Sequence, residues 1–401
     1  MLGFKYRVYP SQKQIIRLNR QMFLAKEMYN LLLEKSKQYY KETGKTFSQF
    51  DMNKCITQLK RKRQEFSEVH SQVLQNISKR ISDTYKAFFR RAKEKKEGKK
   101  VNVGFPKVKR FVFSLTYPSM LGFGLKNTGK IYLSKIGDIP IVLHKFPKGE
   151  GKIKTCIIKY YPSGKWYVSF LVEFLKRKFK NNKKEQVGID VGLKDFATLS
   201  NGEKTKPPKF FNKAEKRIKF LQRRLSRKKK GSKNRRKAKF KLTKAHEKVT
   251  NQRSDFLHKL STKQVNSYSK IAIEKLSIQN MQKNHYLAKS IADASWGEYT
   301  QMLHYKAWSA GCEVIEVDPR NTTKICSCCG NIQEMPLSKR IYNCPVCGHK
   351  EDRDINAAKN ILARATVGLT ESYACGDLSS TLLAMEEQDI SLKQELYGVR
   401  K

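Results

Sequence analysis

Two cysteine pairs, Cys326-x-x-Cys329 and, fourteen residues later, Cys344-x-x-Cys347, confine one short stretch of this chain to very few shapes. Four thiols at that spacing match the ligand set of a single tetrahedral zinc ion and leave no coordination position open. Gly330 and Gly348 follow the two pairs, where a knuckle turn needs a residue that accepts positive φ. Zinc here is expected to be structural, stapling a segment too short to build its own core. The competing reading, four buried free thiols, makes the spacing accidental, and a redox role would need only one Cys-x-x-Cys. Cys328 lies inside the first pair and leaves the ligand choice open, although Cys326 with Cys329 gives the usual two-residue gap. The isolated Cys55, Cys156, Cys312 and Cys375 read as small buried hydrophobes.

Charge sets the second constraint. The chain carries 84 Lys and Arg against 35 Asp and Glu, a net charge of +49 over 401 residues. Such an excess opposes compaction unless a polyanion offsets it, and it exceeds what solubility requires. A nucleic-acid partner is therefore expected. No long apolar run, signal peptide or lipidation motif argues for a membrane, so the chain is expected in the cytosol, with its cysteines reduced. A hydrophobic fraction of 39% supports real cores, and the length allows two or three domains.

Periodicity divides the chain. Phe4, Tyr6 and Val8 alternate as a strand ended by Pro10, and Ser11 to Gln14 reads as a capping box opening a helix. Met52, Ile56 and Leu59 mark a second helix, and Val73, Ile77, Ile81, Tyr85 and Phe88 a third, continuing into a basic arm up to Lys100. From Val101 to Phe174 short strands alternate with turns at Asn127-Thr128-Gly129 and Pro162-Ser163-Gly164-Lys165, suggesting a small barrel that the first strand joins. A Lys-rich linker spans 176–184. Beyond it come strands at Val187–Val191 and Phe196–Leu199 and a turn at Asn201-Gly202, a meander like the start of a ribonuclease-H-like domain. Residues 213–248 form a strongly basic helical hairpin broken near Gly231-Ser232, expected to lie along a phosphate backbone through Arg223, Arg224, Lys228, Arg235 and Arg236. A strand at Lys270–Leu276, a helix at Trp296–Ala310, a strand at Glu313–Val317 and a helix at 356–365 follow. The polar stretch after Thr366 reads as a poorly ordered tail.

Three acids stand out: Asp190 closing one strand, Glu274 closing another, and Asp354 at the start of the Ala-rich helix. Phosphodiester hydrolysis requires an activated water and neutralisation of the leaving oxygen, which two Mg²⁺ ions held by such carboxylates can provide. Each acid has an ordinary alternative. Asp190 could cap a strand, Glu274 could pair with Lys270 or Lys275, and Asp354 could be a helix N-cap. His70, His258 and His304 read as structural or surface residues, and aromatics next to basic residues, such as Phe105 and Phe111, could stack on bases.

The run Gly188-Ile189-Asp190-Val191-Gly192, the Ile273-Glu274-Lys275-Leu276 strand, both Cys-x-x-Cys pairs and Asp352-Arg353-Asp354-x-Asn356-Ala357-Ala358 together resemble the transposon-encoded TnpB family, related to the miniature type V CRISPR effectors. Tyr6-Arg7-Val8-Tyr9-Pro10, Gly104-Phe105-Pro106 and Ser295-Trp296-Gly297-Glu298 extend the likeness over nearly the whole chain. The resemblance implies an α+β multidomain protein. Its parts would be a helical recognition lobe (11–100), a small β-barrel wedge domain (strand 1–10 with 101–184), and an RNase-H-like (RuvC) α/β nuclease domain (185–320 and 351–365) with an inserted zinc ribbon (321–350). It implies an RNA-guided DNA endonuclease that binds a guide RNA from the transposon's end and cuts target double-stranded DNA beside a short motif, in a prokaryotic cytoplasm and on the nucleoid. Asp190, Glu274 and Asp354 would be its catalytic acids and Gln75 would face the adjacent motif, with Ser71 and Gln49 as neighbours. Cys328 departs from the family's knuckle. The alternative is a nucleic-acid-binding regulator of transposition or transcription that does not cut. A guide-free RuvC-type nuclease is disfavoured by the basic surplus outside the nuclease region, and a strand-transferring transposase by the lack of a nucleophilic Tyr or His pair.

Overall fold

Ser11 starts the first helix through its own side chain. Its Oγ accepts from Gln14 N at 3.4 Å while its N–H donates to Gln14 Oε1 at 2.9 Å, the reciprocal arrangement anticipated for this sequence. The computed structural model describes residues 2–144, 151–174, 185–336 and 338–366. They fall into two units, Met1–Arg177 and Lys178–Lys401. The linker expected at 176–184, the tail expected after 366 and Cys375 lie outside the described residues.

In the first unit β1 (Leu2–Val8) precedes helices α1 (Gln12–Thr43), α2 (Gln49–Lys62) and α3 (Ser71–Lys96). Strands β2 (Ser114–Tyr117), β3 (Phe123–Lys126), β4 (Lys130–Leu133), β5 (Gly137–Val142), β6 (Gly151–Tyr160) and β7 (Trp166–Phe174) follow. The strands form one antiparallel, nearly closed sheet in the order β2-β6-β7-β1-β5-β4-β3, with β1 between β7 and β5 as its alternation suggested. Tyr6 and Val8 of β1, Val168 and Phe170 of β7, Leu18 and Met28 of α1 and Val73 and Ile77 of α3 belong to one continuous apolar core. Helical block and barrel thus share an interior, each buried aliphatic side chain contributing about 1.5–3 kcal/mol.

The second unit begins with β8 (Gln186–Asp190), β9 (Ala197–Leu199) and β10 (Lys204–Thr205). Helices α4 (Phe210–Ser226) and α5 (Lys233–Ser267), strand β11 (Lys270–Glu274), helices α6 (Ile278–Met281), α7 (His285–Ala294) and α8 (Trp296–Ala310), and strand β12 (Glu313–Val317) come next. Strands β13 (Ile341–Asn343) and β14 (Lys350–Asp352) and helix α9 (Arg353–Thr366) complete it. The sheet order is β10-β9-β8-β11-β12: β8, β9 and β10 form an antiparallel meander, and β11 and β12 run parallel to β8 and to each other.

Two features depart from the sequence reading. The basic hairpin extends past Lys248, because α5 continues to Ser267 with Leu257, Leu260 and Val265 buried against Tyr299, Met302 and Leu303 of α8. Helices α6 and α7 had no sequence signal strong enough to mark them. α7 nevertheless sets the hairpin's start, since the Asp293 carboxylate accepts Phe211 N–H at 3.1 Å at the N-terminus of α4.

One glycine decides how α9 meets the sheet. A Cβ on Gly188 would lie 1.9 Å from the carbonyl oxygen of Ala358 and 2.8 Å from Leu362 N. Only a residue without a side chain lets the helix backbone seat directly on β8, and Ala357 and Ala358, both fully buried, keep the facing surface low.

Candidate functional site

That close seating is what joins distant parts of the sequence. Asp190 is the last residue of β8, Glu274 the last of the neighbouring β11, and Asp354 lies in the first turn of α9. Burial first, and then the charges of Glu274 and Asp354, push the Asp190 carboxyl up to about 8. Arg353 opposes that rise. Glu274 is also raised, by burial, against the hydrogen bond from Thr322 and the charge of Arg364. Glu274 and Asp354 are therefore both within electrostatic reach of Asp190, in a region that resists the charge of Asp190 and Glu274.

Their supports account for the ordinary alternatives considered for each. Lys270 pairs with Glu313 at 3.8 Å, and Glu274 Oε1 accepts Thr322 Oγ1 at 2.5 Å. Helix α9 is capped by Asp352, whose Oδ1 accepts the N–H groups of Asp354 at 3.0 Å and Ile355 at 3.3 Å while Lys204 holds its Oδ2 at 2.7 Å. Asp354 is thereby released from capping. Its Oδ1 accepts Arg353 Nη2 at 3.0 Å and Nε at 3.2 Å. Among the described residues Glu274 Oε2 and Asp354 Oδ2 have no hydrogen-bond partner, so each acid has one oxygen fixed and one available. The donor set is hard oxygen carrying surplus negative charge, which suits Mg²⁺.

The cysteines make a different cluster. Among the described residues the only group of His, Cys, Asp or Glu ligand atoms all within 4.8 Å of one another is Cys326, Cys329, Cys344 and Cys347. Cys326 and Cys347 Sγ stand 3.7 Å apart, and Cys329 and Cys344 3.5 Å. A tetrahedron with Zn–S near 2.3 Å has edges of about 3.8 Å, so the residues fit zinc. Cys328 is exposed and outside the group. Gly330 and Gly348 have φ of 76° and 70°, the turns the knuckles need. Burial pushes the Cys326 thiol up to about 12, whereas Cys344, burial notwithstanding, is drawn down to about 6 by the N–H groups of Cys347 and Val346 and by Cys329.

Sequence reasoning missed the link between the two clusters. Asn360 Nδ2 donates to Thr322 O at 2.8 Å and Ile325 O at 2.7 Å, and Asn356 Nδ2 to Ile325 O at 2.8 Å, while Ser327 N donates to Asn356 Oδ1 at 2.9 Å. Both side chains are buried. Through them α9 grips the chain that runs from the Glu274 partner Thr322 into the first knuckle. Asn356 and Asn360 lie one turn apart on a helix otherwise packed with Ala and Ile, and that polar pair on an apolar face was the available signal.

The remaining candidates are dispersed. Ser71 and Gln75 lie one turn apart and exposed on α3, Ser71 Oγ accepting Lys60 Nζ at 3.0 Å, and Gln49 opens α2, also exposed. Arg223, Arg224, Lys228 and Arg236 are exposed at the tip of the α4–α5 hairpin. Arg235 instead closes that tip, its Nη1 donating to Leu225 O and Lys228 O at 2.9 Å each.

Comparison with known proteins follows this layout. The family model OrfB_IS605, described as "Probable transposase", matches residues 169–285, and the "Cas12f1-like, TNB domain" matches 296–361. A Streptomyces pristinaespiralis protein named "Putative RNA-guided DNA endonuclease" is 35% identical over 94% of this chain and 91% of its own length. The chain belongs to the TnpB/OrfB family. InsQ of Escherichia coli K12, similarly named, is 28% identical over 98% of each chain. A solved Cas12f1–sgRNA–target DNA complex shares the fold of this TnpB-family chain with a TM-score of 0.55 and 17% identity, covering 87% of this chain and 82% of that one. A model described as "Helix-turn-helix domain" matches residues 1–45, where this TnpB-family chain has β1 followed by the single uninterrupted helix α1. No helix among the described residues is long and apolar enough to cross a membrane.

Proposed function

We propose that this chain is a transposon-encoded, RNA-guided DNA endonuclease that cuts double-stranded DNA beside a short recognition motif, Mg²⁺-dependent and acting through Asp190, Glu274 and Asp354. The observation that carries the reading is the convergence of these acids from β8, β11 and α9, sequence positions 190, 274 and 354, in a chain 35% identical to a protein named for that activity. The meander-plus-parallel sheet order supports a ribonuclease-H-like, RuvC-type assignment for the second unit.

Asp190, on which the charges of both other acids act, would hold Mg²⁺ together with Glu274 and Asp354. When bound, those ions supply Lewis acidity to the attacking water and the leaving oxygen. The protein's own part is orientation. Thr322 fixes Glu274 through Oε1, Arg353 fixes Asp354 through Oδ1, and the free oxygens face the work of binding. Arg353 also offsets part of the rise that burial and the two neighbouring acids impose on Asp190. The four thiols would hold one structural Zn²⁺. The first unit would contribute the recognition lobe and wedge, with Gln75, Ser71 and Gln49 toward the target-adjacent motif.

The protein purified with its copurifying RNA should cut a matched duplex in Mg²⁺ and not in EDTA. Asp190→Ala should lower cleavage at least about 1,000-fold while the RNA stays bound. Undiminished cutting by that variant would overturn the assignment.

A further inference from the structure

At the closed end of the hairpin, the last turn of α4 and the first turns of α5 border a cavity of about 400 Å³ lined by Arg224, Lys228, Asn234, Lys237, Phe240 and Lys241. Lys237 and Lys241 stand one turn apart on α5, while Arg224 lies in the last turn of α4 and Lys228 just beyond its end. Three cations elsewhere along these helices have carboxylate partners: Lys219 with Glu215 at 2.9 Å, Lys259 with Asp255 at 2.8 Å, and Lys263 with Glu203. Among the described residues none of the four cations at the cavity pairs with a carboxylate. α5 also opens with Lys233, Asn234, Arg235 and Arg236 and no acid in its first turn, against the preference of the helix dipole. Like charges gathered around one hollow at a positive helix end call for an anion from outside.

A phosphate alone does not account for the wall. Phe240 is 38% exposed among these cations, and Lys244 Nζ stands 4.5 Å from its ring centroid. An aromatic ring kept in a basic cleft offers a stacking surface that a purely backbone-tracking site has no use for. The bases of a duplex are buried in their own stack and cannot reach it. A volume of this size accommodates one nucleotide.

We infer that this cavity takes one unpaired nucleotide of a single strand, its phosphate among Arg224, Lys228, Lys237 and Lys241 and its base on Phe240, with the Asn234 amide at the base edge. The inference rests on the chain being a nucleic-acid enzyme and adds to it a site that distinguishes single strands from duplex. Arg235, which holds the hairpin closed, sets the shape of the site without lining it.

The test is photocross-linking of the full-length protein to twelve-nucleotide strands carrying 5-iodouracil, one arm RNA and one DNA, with a fully paired duplex bearing the same base as control. Peptide sequencing should place the cross-link at Phe240 in at least one single-stranded arm and in neither strand of the duplex; which arm responds identifies the source of the strand. Phe240→Leu should lower the yield at Phe240's peptide at least about 10-fold, with Phe240→Tyr retaining it. Lys237→Gln with Lys241→Gln should reduce the salt slope of single-strand binding by about 2. Bound strands whose cross-links avoid residues 233–241, or duplex that cross-links there equally well, would overturn the site. Assaying the unmutated protein for both properties separates the two readings: cleavage without a Phe240 cross-link sinks the pocket alone, and a Phe240 cross-link without cleavage sinks the nuclease alone.

Discussion

The thiol cluster and the three carboxylates, the sites we propose for zinc and Mg²⁺, are assembled in opposite ways. Four cysteines within twenty-two residues, 326–347, come together through two local turns, and their sulfurs already stand at zinc-like separations. The three acids come from positions 190, 274 and 354, approach only when a parallel sheet and a helix are in place, and there the charges of Glu274 and Asp354 both act on Asp190. A site whose ligands are local can close completely. One whose ligands arrive on separate elements depends on how those elements pack. The two are tied together by Asn356 and Asn360, so that the thiol site braces the helix that carries Asp354.

The sharpest way to break that comparison is to remove the zinc. Structural zinc in isolated fingers is worth about 10–16 kcal/mol. Chelation, or Cys329→Ser, should therefore unfold the knuckle, loosen the chain at Thr322 and Ile325, and lower cleavage at least about 100-fold, read alongside zinc content and thermal melting. Cleavage that survives with no zinc bound would mean the two sites are independent.

A smaller effect is expected from Gly188→Ala. Overpacking usually costs about 1–3 kcal/mol, and here the new methyl would meet backbone, which cannot yield by changing rotamer. α9 must retreat from β8, carrying Asp354 with it, and an ångström of misplacement lowers rate about 100-fold. Melting temperature and cleavage should fall together while zinc stays bound. A variant of full activity would show that the helix can seat elsewhere.

The smallest effect is one of pH. Asp190 is raised in the folded protein to about 8, so its protonated form favours folding, and that contribution is lost as pH rises through about 8. Metal-free protein should melt at progressively lower temperature from about pH 4 to about pH 8, levelling off above. Saturating Mg²⁺, which requires the ionised carboxylate, should flatten the decline, and apparent Mg²⁺ affinity should climb over the same range. An identical pH profile with and without Mg²⁺ would remove Asp190 from the ion's ligands.

Much of the scaffold was legible because its signals are local. The capping box at Ser11, the β6–β7 hairpin turn and the helix from Trp296 to Ala310 each follow from a few adjacent residues. The thiol knuckle was legible for the same reason. The acids could be nominated from strand ends and from family likeness, but their convergence depends on Gly188, whose significance lies in Ala358, 170 positions away. Asp352, Arg353 and Asp354 are consecutive, yet one caps the helix, one clamps its neighbour and one is left for the site, a division invisible in the spelling. The full length of α5 was hidden because its basic first half masks an apolar second half whose partners, α8 among them, are distant in sequence.

The asparagine clamp bears on modularity. Because residues 322–327 are fastened to α9 by the side chains of Asn356 and Asn360, the ribbon is not a detachable bead. Anyone grafting it between relatives, or trimming it to shrink the enzyme, should move 322–366 as one piece, since a seam at 350 would sever the knuckle from the helix that anchors it.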